Sequence, residues 1–72
     1  MTGRIVPLSG VIQHRTFRGV RAVEFVADHT LVRGCVFIMA RGLSPQSPGL
    51  IRNRRRRRNC RLVDCVFREP LG

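Results

Sequence analysis

Apolar residues fall in short clusters along this chain, each ended by Gly or by Asp-His. Segments 10–17, 20–27 and 30–40 each combine Val, Ile or Phe with polar residues, with Gly19 or Asp28-His29 between them. Val and Ile number 13 against only three Ala, and strong helix formers other than Arg are sparse. Stiff β-branched side chains fit a pleated surface and lose rotamer freedom in a helix, so the pattern predicts strands. A helix over 17–28 is the rival, because Phe17, Val20, Val23 and Ala27 share one helical face. Gly19 inside that helix costs roughly 1 kcal/mol relative to Ala, which favours the strand.

Composition then divides the chain. Residues 1–42 are apolar with scattered Arg, and 60–72 return to that character. Between them, 43–59 opens with Pro45, Pro48 and Gly49, which break both helix and sheet, and continues into a basic run. A weak internal repeat links the two apolar pieces at an offset of thirty residues. Leu31-Val32-Arg33-Gly34-Cys35-Val36-Phe37 parallels Leu62-Val63-Asp64-Cys65-Val66-Phe67, with one residue of slippage needed to match Leu31 to Leu62. Leu, Cys and Phe are expected to point inward across a bend at Gly34 or Asp64, stacking Cys35 on Cys65 and Phe37 on Phe67.

This repeat, over 17–37 and 49–67, resembles coils of right-handed parallel β-helices, a family seen in phage tailspikes and polysaccharide-active proteins. The resemblance implies stacked strands and, since arrays of this kind usually need about three units, association with another chain. The competing arrangement is a small antiparallel sheet. Either way the expected fold class is mainly β, a single small domain of 72 residues with an Arg-rich, flexible loop at 43–59.

Charge changes the picture most. The formal net charge is +10, and all 14 cations are Arg. Seven of them lie in 52–61, a stretch with no acid. Such clustering is costly unless a polyanion or salt screens it, so RNA or DNA is the expected partner. The candidate binding residues are Arg52, Asn53, Arg54, Arg55, Arg56, Arg57, Arg58 and Arg61. Residues 52–58 resemble the arginine-rich RNA-binding motif of lentiviral Rev proteins. That resemblance implies a helix in an RNA groove, with Asn53 reading a base pair and Arg54 to Arg58 gripping phosphates. The chain has no Tyr or Trp, and its four Phe lie outside the run. Phosphate binding tolerant of sequence is therefore expected over base-specific reading.

Other readings follow from the same residues. A self-assembling β-repeat protein of a phage or other particle would use the arginines between subunits. An accessory protein would use them as a nuclear localisation signal. Acidic membrane surfaces are a weaker fit, and the longest apolar run, 35–40, falls far short of the ~20 residues of a membrane span. The N-terminal residues lack the apolar core of a signal peptide, so an intracellular location, cytoplasmic or nuclear, is expected.

Three cysteines cannot all pair within the chain. Cys35, Cys60 and Cys65 with His14 and His29 have zinc-ligand chemistry but no Cys-x-x-Cys pair. Cys60, beside the run, is a candidate reactive thiol. No cofactor and no metal site is expected. The four acids, Glu24, Asp28, Asp64 and Glu69, show no paired-carboxylate spacing, so no enzymatic activity is expected.

Overall fold

The computed structural model describes residues 2–71, among which no residue is helical. The strands are β1 (Arg4–Leu8), β2 (Val11–Gln13), β3 (Thr16–Phe25), β4 (Leu31–Arg33), β5 (Val36–Met39), β6 (Ile51–Arg52), β7 (Arg61–Val63) and β8 (Val66–Arg68). The fold is mainly β, as expected. The helix considered for 17–28 is instead most of β3. Gly19, the residue that weakened the helix, has φ +65° at a register shift between Phe17 and Val20. It marks an irregularity within β3, between the start of the strand and the remainder.

Among the described residues every pairing between strands is parallel, which excludes the antiparallel sheet. One sheet runs β1-β3-β5-β8, with β6 also on β3, and a second runs β2-β4-β7. Parallel neighbours need a crossover between them. Here the chain supplies it by winding in three coils. The first holds β1, β2 and the start of β3; the second holds the rest of β3, β4 and β5; the third holds β6, β7 and β8.

The register shows how the coils stack. Val11, Ile12 and Gln13 pair with Leu31, Val32 and Arg33, and these pair with Arg61, Leu62 and Val63. The thirty-residue repeat therefore needs no slippage, and Leu62 lies under Val32 rather than Leu31. Val32 is the fully buried residue of β4, while Leu31 is only partly buried. The repeat also has an earlier copy, Ile12 to Phe17, twenty residues before the second coil.

Inward positions form columns through the coils. Phe17, Phe37 and Phe67 stack with ring centroids 5.1 and 4.7 Å apart and planes within 13° of parallel. Ile12, Val32 and Leu62 form a second column. Cys35 and Cys65 form a third, with Arg15 at that position in the first coil. The core centres on Val6, Leu8, Val20, Val23, Val32, Cys35, Phe37 and Met39.

Each coil turns its β2/β4/β7 corner at one left-handed residue: His14 (φ 52°), Gly34 (φ 63°) and Asp64 (φ 52°). Left-handed backbone at these places closes the coil while strands on both sides keep their register. Gly34 has a second role, since a Cβ there would lie 2.8 Å from His14 Nδ1. Gly34→Ala combines that clash with a strained φ and is expected to cost about 1–3 kcal/mol, read as a lowered melting temperature.

Candidate nucleic-acid interface

The basic run forms the side of the third coil between β6 and β7. Within the expected 43–59 loop, Ile51 and Arg52 are a short strand, pairing with Val23 and Glu24 of β3. Arg61 opens β7, its N–H donating to Thr30 O at 2.9 Å. The two strands fix both ends of the intervening loop. All eight candidate residues thus lie along one continuous side of one coil.

Asn53 closes this loop. Its Oδ1 accepts the Arg57 N–H at 2.7 Å, and its Nδ2 donates to the Arg57 carbonyl at 3.0 Å. The Arg56 N–H donates to the Asn53 carbonyl at 3.2 Å, and Arg56 itself has φ +51°. That φ interrupts any helix through the segment, so the helix implied for an RNA-bound motif is not the form of the free loop. The Asn53 amide is engaged with backbone and does not project as a base reader in this conformation. Asn53→Ala removes both side-chain bonds. The expected loss is about 1–2 kcal/mol of local closure, seen as faster amide exchange at Arg57.

The far side of the loop rests on the corner of the second coil. Asp28 Oδ1 accepts the Arg58 N–H at 2.8 Å, and the His29 N–H donates to Arg58 O at 2.7 Å. Asn59 Nδ2 lies 3.1 Å from His29 Nδ1. His29 and Asn59, thirty residues apart, both adopt left-handed φ, 58° and 57°. Asp28 and His29 were not among the candidate residues. The repeat itself held the signal, since the thirty-residue offset places Asp28-His29 opposite Arg58-Asn59.

These contacts involve backbone and amide groups and leave the guanidinium groups almost uncompensated. Among the described residues, one ion pair touches the run: Arg54 Nε to Glu24 Oε1 at 3.9 Å, with the Arg54 side chain 65% exposed. Exposed pairs of this kind contribute about 0–1 kcal/mol. The Asp28 oxygen nearest the run is engaged with a backbone N–H. Arg52 Nε donates to Gly49 O at 3.1 Å, and Arg57 is half-buried with its Nε enclosed and unpartnered. Arg54, Arg55, Arg56, Arg58 and Arg61 are exposed.

Of the thiols, Cys35 and Cys65 lie away from the loop, whereas Cys60 sits half-buried within the 52–61 stretch. Cys35 Sγ faces Ile12 O at 3.8 Å and Cys65 Sγ faces Val32 O at 3.4 Å, the same contact one coil further on. Cys60 Sγ donates to Ala27 O at 3.4 Å. All three are free, as small apolar residues with weak donors. Among the described residues, no three His, Cys, Asp or Glu side chains come together as metal ligands. No described helix is long and apolar enough to cross a membrane.

Fold and site together define a small mainly-β protein of stacked parallel strands that carries an arginine loop on one coil. Comparison with family models, with curated proteins and with solved structures finds no match to this chain.

Proposed function

We propose that this protein binds nucleic acid, RNA foremost, through Arg52, Arg54 to Arg58 and Arg61. The observation that carries the reading is a loop tied at both ends and across its middle, from which a dense set of guanidinium groups projects with, among the described residues, a single weak carboxylate contact. A fixed loop loses less conformational entropy on binding than a disordered tract. Arg presents a planar fork of donors suited to phosphate oxygens. The expected mechanism is phosphate neutralisation with counterion release.

Asn53 serves loop closure in this reading, so affinity depends on phosphate density and shape more than on base identity. The protein acts by binding rather than catalysis, as a component of a ribonucleoprotein or virus particle. Bound nucleic acid also stabilises the small fold by mass action.

The test is fluorescence anisotropy with labelled RNA and DNA hairpins at fixed moderate salt. Wild type is expected to bind both, while a variant with Gln at Arg54 to Arg58 loses most of the affinity. Equal binding by the two proteins would remove the loop as the site.

A further inference from the structure

The two ends of the coil stack differ. At the first coil, Val26 N–H donates to Leu8 O at 3.0 Å. Alternation along a parallel ladder then turns the backbone of Val6 and Leu8 toward β3 and that of Pro7 toward the free edge. Proline there removes a donor from the edge, a common way to block strand addition. Arg15 adds a second cover, its guanidinium carbon 5.7 Å from the centre of the Phe17 ring.

The third coil ends otherwise. Arg61 N–H donates to Thr30 O, Gly34 N–H to Val63 O and Val66 N–H to Cys35 O, each at 2.9 Å. The same alternation leaves the N–H and C=O of Leu62 and Phe67 on the outer edge. Their side chains are the last members of the two apolar columns, half-buried where Val32 and Phe37 above them are fully buried. Strands β6, β7 and β8 contain no proline. Hydrogen-bonding groups and apolar surface are thus presented together along one edge.

We infer that this outer edge of the third coil docks an extended, acidic segment of a partner protein, which adds as a fourth rung. The chemistry of the occupant follows from the register. Leu31 and Ile38 of the second coil face Arg61 and Arg68, and both arginines are exposed. A segment seated on the other side of these arginines gains by carrying carboxylates at those two registers and apolar side chains over Leu62 and Phe67. A second copy of this chain brings +10 of like charge and is disfavoured. The inference shares Arg61 with the nucleic-acid reading but otherwise stands on Leu62, Phe67 and Arg68, which lie along an edge and not at the loop tip.

The probe is a synthetic peptide with the sequence of residues 30–39, the second coil's own rung, carrying L31E, C35A and I38E. Amide exchange is followed by NMR in the intact protein, so no folding variant is needed. Saturating peptide is expected to slow exchange at Leu62 and Phe67 about tenfold or more. A control peptide with Arg in place of both Glu is expected to bind about tenfold more weakly. Unchanged exchange at Leu62 and Phe67 would overturn the inference. So would equal binding of the two peptides, or a response confined to Arg54 to Arg58, which would make the peptide a mere polyanion for the loop. Protection of the same two amides by self-association without peptide would assign the edge to a second copy and equally overturn it.

Discussion

Phe37→Ala is expected to unfold much of the protein at room temperature. The ring is fully buried and stacked on both faces, by Phe17 and by Phe67. Truncating a buried Phe costs about 3–5 kcal/mol through lost transfer energy and the cavity left behind. A domain this small seldom has more than about 3–5 kcal/mol of stability from its core. The same change at Phe67, at the end of the column, loses one stacking partner instead of two and starts half-exposed. Its expected cost is about half as large, since both the cavity and the aromatic contact are smaller. Denaturant melts followed by circular dichroism separate the two. Equal costs at Phe37 and Phe67 would show that the column is not continuous through the second coil.

The variant with Gln at Arg54 to Arg58 is expected to change binding in a second way, through its salt dependence. Each neutralised phosphate contributes about −0.7 (single strand) to −0.9 (duplex) to the slope of log affinity against log salt. Seven arginines in the run allow a wild-type slope of about −5 to −6, a loss near 10³-fold between 50 and 200 mM salt. Removing five of them flattens the slope by about 3.5 to 4.5. The fold is expected to survive. The loop's anchors are the Arg57 and Arg58 backbone, the Asn53 amide and the Asp28 carboxylate, all kept in the variant. Removing like charge also relieves repulsion within the loop. An unchanged slope would mean that the phosphates are met by other arginines.

The stacking of Cys35 on Cys65 and Phe37 on Phe67 was legible in the sequence, because identical residues recur at a fixed offset and like stacks on like between coils. The exact register was not. Leucine identity suggested pairing Leu31 with Leu62, whereas burial selects Val32, since a one-residue slip would turn every side chain to the wrong face. The first coil was hidden for two reasons. Arg15 stands where the later coils have Cys, and the spacing there is twenty residues, not thirty. Most of the extra length is the turn-rich 41–50 segment. Strand direction stayed open between parallel coils, which that stacking requires, and the competing antiparallel sheet, because a left-handed residue at His14 or Asp64 serves a coil corner or a hairpin equally well.

At the candidate site, the arginines announced themselves by density. The role of Asn53 did not, since an Asn that closes a loop and an Asn that reads a base look alike in sequence. The paired bonds to the Arg57 backbone show the loop-closing contact and are visible only in the structure. Asp28 and His29 depend on contacts thirty residues away and were visible only once the coils were in register.

The most direct test of the binding site is backbone NMR of the labelled protein titrated with an RNA hairpin. Chemical-shift changes are expected in residues 52–61 and in the Asp28–His29 corner beneath them, with the first coil unchanged. Shifts centred on the first coil, or none in 52–61 at saturating RNA, would contradict the assignment of the arginine loop as the nucleic-acid interface.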